Sequence, residues 1–288
     1  MKGIILAGGV GSRLWPATIS VSKHLLPVHD KPMIYYPLSN LMLAGIREIL
    51  LISTPKDCDR YKNLLGQGDD LGITIEYRVQ TAPRGIADAF IVGEEFIGDD
   101  PITLILGDNI FYGDSFPTTV KEGIRNNTGA TIFCSNVSNP DQYGIVELDT
   151  NGLPVSIEEK PVHPRSNMAV AGMYIYDNRV VDLAKTLLPS PRGELEISCI
   201  NRFYLEAGSL VVNNLGRGIV WYDTGSVQDL SEASIFVASF ERRHGLKIAC
   251  LEEIAWRNGW IDRDQVKDLS ARFPNHYGEY LRNLIRNG

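Results

Sequence analysis

Three glycines and an arginine occur close together near the start of the chain, in Gly8-Gly9-Val10-Gly11-Ser12-Arg13. Glycines let a backbone turn sharply and let its N–H groups approach an anion, because no Cβ stands in the way. The arginine adds a rigid fork of donors suited to phosphate oxygens. The apolar run Lys2–Ala7 directly before the loop predicts a buried strand. A strand leading into such a loop indicates a phosphate site, and above all a nucleotide site, although tight turns also use glycine clusters.

Two familiar phosphate loops have spacings that this loop does not match. The G-x-x-x-x-G-K-[ST] pattern of ATPases is absent from the sequence. Gly9 and Gly11 supply the first part of a dinucleotide-binding G-x-G-x-x-G, but Leu14 takes the third glycine's place. Pro16 would also interrupt a helix beginning there. The loop therefore indicates a phosphate cradle of another kind.

Two aspartates follow apolar runs at positions suited to a metal ion. Asp108 stands in Leu106-Gly107-Asp108-Asn109 and Asp223 in Trp221-Tyr222-Asp223-Thr224-Gly225. In open α/β sheets the carboxyl ends of strands face the ligand crevice. Mg²⁺ binds few protein carboxylates and completes its shell with water and substrate phosphates. Either aspartate alone could instead cap a turn or helix, so the metal hypothesis depends on the nearby phosphate loop.

Five further residues are candidates for binding, although most residues of these types have only structural roles. Glu159 and Lys160 end a predicted strand and could accept sugar hydroxyls and pair with a phosphate, or form a solvated charged turn. Lys23 lies near the middle of the segment 12–32, which we expect to be irregular, and it could pair with a phosphate or be an ordinary surface lysine. Gln80 could read the donor–acceptor edge of a base, and Gly85 could let that base lie close to the backbone.

Composition excludes several classes of protein. The chain has 288 residues, 44% of them hydrophobic, which is ample for a large core. A net charge of −7 without a cationic tract disfavours nucleic acid as a partner. No stretch approaches the roughly 20 apolar residues of a membrane span, and we expect no membrane association. The four cysteines form no C-x-x-C pair, which predicts reduced thiols and a cytoplasmic location.

Hydrophobic periodicity predicts alternating strands and helices in the first half of the chain. The predicted strands are 2–7, 48–53, 73–78, 102–106, 130–135, 144–149, 155–159, 173–176, 210–212 and 219–222. The predicted helices are 33–44, 57–65, 85–96, 178–187, 194–207, 231–244, 251–258, 264–270 and 277–286. This order predicts a Rossmann-like α/β fold with a mixed, mostly parallel sheet flanked by helices. We expect one α/β domain over 1–288. Its core, 1–225, carries inserted substrate-binding strands, and 226–288 forms a helical C-terminal segment.

Taken together, these stretches closely resemble the sugar-1-phosphate nucleotidylyltransferases over essentially the whole chain. The resemblance rests on Lys2 to Leu14, Ser22-Lys23, Pro27, Lys31 to Pro37, Leu106 to Asn109, Tyr143-Gly144, Glu158 to Pro161, Pro191 to Ile197 and Trp221 to Gly225. It implies a Rossmann-like fold and the Mg²⁺-dependent reaction of dTTP with α-D-glucose 1-phosphate to give dTDP-glucose and pyrophosphate. The pathway implied is dTDP-L-rhamnose or other deoxysugar synthesis, for polysaccharides.

The same resemblance implies a role for each candidate residue. The nucleotide would be bound by Gly8, Gly9, Gly11, Ser12, Arg13, Lys23, Gln80 and Gly85. The sugar phosphate would be bound by Asn109, Gly144, Glu159, Lys160 and Val170. Arg13, Lys23, Asp108 and Asp223 would form the catalytic set, with Asp108 and Asp223 as the Mg²⁺ ligands.

Members of the family are commonly homotetramers with an allosteric site between subunits for a downstream deoxysugar nucleotide. The residues expected there are Leu43, Tyr112, Gly113, Cys250, Glu253 and Arg257. Four positions depart from the family's usual residues: His24 for Gln, Arg84 for an acidic or small residue, Pro117 for a polar residue and Cys199 for Asp.

Three alternatives compete with the thymidylyl-transferring reaction. A relative that uses UTP or another nucleotide stays open, because a glutamine edge pairs almost equally well with uracil and thymine. A non-catalytic regulator that binds sugar nucleotides is disfavoured by the retention of two aspartates together with Arg13 and Lys23. A dehydrogenase is disfavoured by Leu14 and Pro16.

Overall fold

A computed structural model describes residues 1–287 as alternating strands and helices. The strands are β1 (Lys2–Ala7), β2 (Pro27–Val28), β3 (Lys31–Pro32), β4 (Glu48–Ser53), β5 (Thr74–Val79), β6 (Ile102–Leu106), β7 (Asn109–Tyr112), β8 (Ala130–Asn136), β9 (Gly144–Leu148), β10 (Pro154–Glu159), β11 (Met168–Tyr176), β12 (Leu210–Asn214) and β13 (Val220–Asp223). The helices are α1 (Tyr35–Leu43), α2 (Cys58–Leu65), α3 (Asp88–Val92), α4 (Glu94–Ile97), α5 (Phe116–Asn126), α6 (Val180–Thr186), α7 (Ile197–Glu206), α8 (Val227–His244), α9 (Leu251–Arg257), α10 (Arg263–Ala271) and α11 (His276–Asn287).

The central sheet is mixed and has nine strands. Its order runs β10-β9-β11-β6-β1-β4-β5, while β8 pairs with β11 and β12. Four neighbouring strands from the first part of the chain, β6, β1, β4 and β5, are all parallel. β11 then runs antiparallel to β6 and joins this part of the sheet to the antiparallel strands of the other part. The predicted fold class is confirmed, with parallel pairing concentrated where the sequence alternates strand and helix.

Strand β1 is apolar from Ile4 to Ala7 because helices cover both faces of the sheet. Ile5 packs into one core cluster with Leu41 of α1, whereas Ile4 packs into another with Phe90 of α3. Ile4 and Ile5 are both fully buried. The carboxyl end of β1 is thereby fixed in position, and the glycine loop begins there.

Two short pairings were not predicted. β7 follows β6 after a two-residue turn and pairs with β13, with Asp223 opposite Asn109. The segment 12–32, expected to be irregular, contains the hairpin of β2 and β3, whose turn residue His29 has a φ of 58°. The predicted helix over 85–96 is divided into α3 and α4 around Gly93.

A buried group of charges joins this hairpin to the C-terminal helices. Lys31, only 2% exposed, donates to Glu241 of α8 at 2.9 Å and also pairs with Asp30. Lys247 donates to the same Glu241 at 2.9 Å and to Asp30 at 2.5 Å. The ammonium groups of Lys31 and Lys247 both lie over the ring of Tyr277 in α11. These contacts connect the segment 12–32, which carries Lys23, to helices α8 and α11 of the C-terminal segment.

The helices of the C-terminal segment have well-defined ends. Ser226 accepts a hydrogen bond from the Asp229 N–H at the start of α8, and Gly245 ends that helix in a left-handed conformation. Asp262 and Gln265 form a capping box at the start of α10. Within residues 1–287, no helix combines the length and apolar character needed to cross a membrane.

Candidate active site

The pairing of β7 with β13 brings Asp108 and Asp223 to the same place. Asp108 immediately precedes β7, and Asp223 ends β13 opposite Asn109. Thr224 strengthens the connection, because its N–H and its hydroxyl donate to the main-chain oxygen of Asp108 at 3.0 and 2.6 Å. Two aspartates that are distant in sequence therefore face one cleft.

The two carboxyl groups have opposite electrostatic environments. Burial disfavours ionisation of Asp108, but the neighbouring Lys23 ammonium and the Asn109 amide hold its pKa below the usual range. Lys23 forms an ion pair with one Asp108 oxygen, and Asn109 Nδ2 donates to the other at 3.0 Å. Burial and the charge of Asp108 raise the pKa of Asp223 to about 6, against the opposing effect of Lys23 and Arg13.

These two residues fit the requirements of a divalent cation. Two carboxylates in one partly shielded place carry more negative charge than Lys23 neutralises, as the raised pKa of Asp223 indicates. A divalent ion would relieve this repulsion, and water and phosphate oxygens would complete its shell. The one cluster of three metal-ligating side chains found within residues 1–287, His29, Asp30 and Glu241, instead surrounds the ammonium groups of Lys31 and Lys247.

The glycine loop lies beside this pair of aspartates. Gly9 and Gly11 have φ values of 91° and 65°, a backbone region that favours glycine. A Cβ on Gly11 would lie 3.4 Å from the Lys23 side chain, so the loop contacts the lysine that pairs with Asp108. The guanidinium of Arg13 lies over Gly225, where an added Cβ would be 2.8 Å from its nitrogen. Ser12 and Arg13 begin a short 3₁₀ turn and are exposed.

Gln80 and Gly85 lie next to the beginning of the glycine loop. A Cβ on Gly8 would be 3.1 Å from Gln80 Oε1, and Gln80 Nε2 lies 3.3 Å from the Gly85 carbonyl oxygen. Gly85 has a φ of 98°, and an added Cβ would lie 2.5 Å from the carbonyl oxygen of Leu195. Both the backbone conformation and this close approach therefore require glycine at this position.

The predicted sugar-phosphate residues converge on the other side of the cleft. Strands β9 and β10 set Gly144 opposite Glu159, and a Cβ on Gly144 would be 3.2 Å from Glu159 Oε2 and 3.8 Å from Val170. Lys160 has a φ of 44°, and its N–H donates to the Tyr143 carbonyl at 2.9 Å. One cleft is lined by Arg13, Asp108, Asn109, Gly144, Glu159, Lys160, Val170 and Asp223.

Arg192 adds a positive charge beside Glu159. Its guanidinium lies 3.5 Å from Glu159 and 2.8 Å from Glu196. Burial and the charge of Glu196 raise the pKa of Glu159, while Arg192 opposes that increase. Arg192 belongs to the motif Pro191 to Ile197, but its residue type and spacing alone predict no site role for it.

Two residues that hold the Asn109 amide were also missed. Asn109 Oδ1 accepts hydrogen bonds from Trp221 Nε1 at 2.6 Å and from the Gly172 N–H at 3.1 Å. A Cβ on Gly172 would lie 2.6 Å from Asn109 Oδ1. Trp221 belongs to a motif noted in the sequence, whereas Gly172 lies within an apolar run and gave no signal. The two donors orient Asn109 so that its Nδ2 reaches Asp108.

His24 is buried beside the ion pair of Lys23 and Asp108. Burial and the charge of Lys23 lower its pKa to about 3, although Asp108 opposes this, so the ring is neutral at physiological pH. Its Nδ1 lies 3.2 Å from the Ser22 hydroxyl, which lies 2.8 Å from the Tyr61 hydroxyl. His24 is therefore a neutral, hydrogen-bonded packing residue in this site.

Five of the six predicted regulatory residues line a second cleft, between α1, α9 and β7. These are Leu43, Tyr112, Cys250, Glu253 and Arg257. Arg257 Nε donates to Glu253 at 2.7 Å, and burial raises the pKa of Cys250. Gly113, the sixth, lies instead against Gly218 and Ile219.

Comparisons with known proteins agree with this arrangement. Residues 2–239 match the nucleotidyl transferase family. The chain is 58% identical over 287 residues to a glucose-1-phosphate thymidylyltransferase of Neisseria meningitidis, covering 99% of this chain and 100% of that protein. It is 51% identical over 286 residues to the enzyme of the same name from Mycobacterium tuberculosis, covering 99% of both.

Solved structures share the fold. A Bacillus anthracis protein crystallised with sucrose aligns with a TM-score of 0.76 and 41% identity, over 82% of this chain and 94% of that one. A UDP-glucose pyrophosphorylase in complex with UDP-glucose aligns with a TM-score of 0.72 at 24% identity, over 84% of this chain and 99% of that one. The second likeness concerns the fold alone.

Proposed function

This chain belongs to the nucleotidyl transferase family, and from that premise we propose that it transfers dTMP from dTTP to glucose 1-phosphate, releasing pyrophosphate. It is an enzyme, a glucose-1-phosphate thymidylyltransferase like its full-length relatives. The observation that carries the proposal is the meeting of Asp108 and Asp223 in one cleft with Arg13, Gly144 and Glu159. In this cleft the two aspartates would lie between the glycine loop, which would bind the triphosphate, and the polar residues that would bind the sugar phosphate.

The reaction needs alignment and charge stabilisation more than proton transfer. A phosphate oxygen of glucose 1-phosphate, already a nucleophile at neutral pH, attacks the α-phosphorus of dTTP. The bond to the bridging oxygen breaks, and its electron pair leaves with pyrophosphate. Holding the two phosphates in line lowers the barrier by positioning. A general base is unnecessary, which agrees with the neutral, buried state of His24.

Charge that develops on the phosphates is met by this chain's cations. Arg13 and the glycine loop would bind the triphosphate, and Lys23, which pairs with Asp108, would lie near the α-phosphate. We assign Mg²⁺ to Asp108 and Asp223; when bound, it supplies further charge neutralisation and orients phosphate oxygens. Gln80 and Gly85 would receive the base, while Asn109, Gly144, Glu159, Lys160 and Val170 would hold the sugar phosphate.

Replacing Arg13 tests the assignment of the catalytic charges. Arg13 is exposed, so Arg13→Ala should leave the melting temperature close to that of the wild type. We expect kcat at saturating substrates to fall by roughly a hundredfold, as when a transition-state donor is removed. Turnover equal to that of the wild type would contradict the role of Arg13 in catalysis.

The second cleft supports the further proposal of feedback control. Leu43, Tyr112, Cys250, Glu253 and Arg257 would bind a downstream deoxysugar nucleotide such as dTDP-L-rhamnose. We also propose a homotetramer in which residues 226–288 contribute to the interfaces, and a place in deoxysugar synthesis in the cytoplasm. Inhibition by millimolar dTDP-L-rhamnose that is not simply competitive is the expected result, and no inhibition at all would refute the proposed control.

The decisive experiment measures pyrophosphate release from each nucleoside triphosphate with glucose 1-phosphate. With Mg²⁺ we expect dTTP to give the highest kcat/KM, and with EDTA we expect no turnover. Higher kcat/KM with UTP would instead identify a uridylyl-transferring relative. Binding without turnover for every nucleotide would identify a regulator and refute the proposed reaction.

A further inference from the structure

The side chain of Gln80 is held by two hydrogen-bond acceptors. Its Nε2 lies 2.9 Å from Asp88 Oδ2 and 3.3 Å from the Gly85 carbonyl oxygen. Gln80 is 7% exposed and Asp88 only 3%. An ionised carboxylate and a peptide carbonyl accept hydrogen bonds but cannot donate them. The NH₂ group of Gln80 must therefore face Asp88 and Gly85, and its carbonyl oxygen must face the opposite way.

The carbonyl oxygen Oε1 of Gln80 points to the glycine loop, 3.1 Å from the position of a Cβ on Gly8. Among residues 1–287, the only buried side-chain polar atom without a partner is Nδ2 of Asn40. Oε1 of Gln80 accepts no hydrogen bond from any residue in 1–287. Because it is nevertheless not one of the buried atoms without a partner, it must be accessible from outside the core. The group that Gln80 presents at the end of β1 is an acceptor.

Hydrogen bonds to Leu195 hold the backbone just before Asp88 in place. The Leu195 N–H donates to the Arg84 carbonyl at 2.7 Å, and the Ala87 N–H donates to the Leu195 carbonyl at 3.2 Å. Arg84 Nε lies 3.6 Å from the second oxygen of Asp88, which places a cation on the outer side of this carboxylate. The acceptors facing Gln80 are therefore set in a fixed segment, and the amide has no equivalent flipped state.

We propose that Asp88 is a positioning residue that fixes the Gln80 amide so that the site selects bases with a ring N–H donor. Thymine and uracil carry such a donor at N3, whereas N3 of cytosine is an acceptor and would face Oε1 unfavourably. The inference rests on the proposed function, because it assumes that the base lies against Gln80. It goes further by naming the residue that makes the glutamine selective.

A structural role for Asp88 is the competing explanation. Asp88 is the first residue of α3, where an acidic side chain interacts favourably with the helix dipole. A residue needed only for helix stability would affect all nucleotides alike. A residue that orients Gln80 would instead change the preference for thymine over cytosine. It would leave the preference for thymine over uracil unchanged.

The test compares Asp88→Asn with wild type. An asparagine can both donate and accept, so Gln80 can flip its amide and present a donor. We expect the ratio of kcat/KM for dTTP over dCTP to fall by at least about tenfold, mainly through the KM of the nucleotides. The KM for glucose 1-phosphate and the ratio of dTTP to UTP should stay unchanged. Glu95→Gln, which neutralises an exposed carboxylate in neighbouring α4, is the matched control and should change none of these values.

A second measurement uses only the wild-type enzyme and so does not depend on the folding of a variant. Competition by N3-methyl-dTTP should be at least about tenfold weaker than that of dTTP, because the methyl group removes the donor that Oε1 accepts. Equal competition, or an Asp88→Asn enzyme with unchanged preference for dTTP over dCTP, would overturn the inference. Neither result would affect the proposed function, which fails separately if the wild type releases no pyrophosphate from dTTP.

Discussion

Asp223→Asn should abolish activity and yet stabilise the metal-free protein at neutral pH. Burial and the charge of Asp108 raise the pKa of Asp223 from 3.8 to about 6. The folded protein therefore binds this proton more tightly than the unfolded chain does. Between those two pH values the free energy of unfolding falls as pH rises, because the ionised carboxylate destabilises the fold. The amide removes that charge while keeping nearly the same shape.

The size of the effect follows from the same pKa change. Each pKa unit corresponds to about 1.4 kcal/mol, so ionised Asp223 destabilises the metal-free fold by at most about 3 kcal/mol above pH 6. At pH 8 the free energy of unfolding of metal-free Asp223→Asn should therefore exceed that of the wild type by up to this amount. The difference from wild type should shrink as pH falls through 6 and should vanish below about 3.8, where Asp223 is protonated in both states.

The assay is urea denaturation in EDTA at pH 8, 6 and 4, with pyrophosphate release measured in parallel with Mg²⁺. Glu158→Gln changes an exposed carboxylate at the end of β10 and should show neither the stabilisation nor the loss of activity. An Asp223→Asn protein no more stable than wild type at pH 8 would refute the argument. A stabilisation independent of pH would also refute it, because its origin would not be the titration of this group.

Two further substitutions test the framework around the site. Gly172→Ala puts a Cβ 2.6 Å from Asn109 Oδ1, so the buried amide must move away from its partners; we expect kcat to fall at least about tenfold and the melting temperature to fall as well. Lys31→Met leaves buried Glu241 with Lys247 as its remaining lysine partner. Its free energy of unfolding, measured in urea, should fall by about 3 kcal/mol, near the lower end for a broken buried pair. Unchanged kcat in the first variant or unchanged stability in the second would contradict these contacts.

The local features of this protein were predictable from its sequence. β1, the glycine loop and the parallel strands of the first half follow from continuous apolar runs and from glycines, whose effects act over a few neighbouring residues. The position of Asp108 after an apolar strand was equally local. Motifs matching those of a known family indicated the remaining candidate binding residues one by one.

The tertiary structure alone decided which of these residues meet. Asp108 and Asp223 come together because β7 pairs with β13, and β7 is too short to be recognised from periodicity. The charge environment that raises the pKa of Asp223 exists only after that pairing.

The same reason explains why the positioning contacts were missed. No sequence pattern indicated a role for Gly172, because that role is to leave space for Asn109, which belongs to a different strand. Asp88 resembled an ordinary acidic residue at a helix start until the fold placed it against Gln80. Sequence determined the elements and the chemistry available, since these depend on neighbours along the chain. Strand register and side-chain packing decided how that chemistry is arranged, because they depend on contacts between residues far apart in the chain.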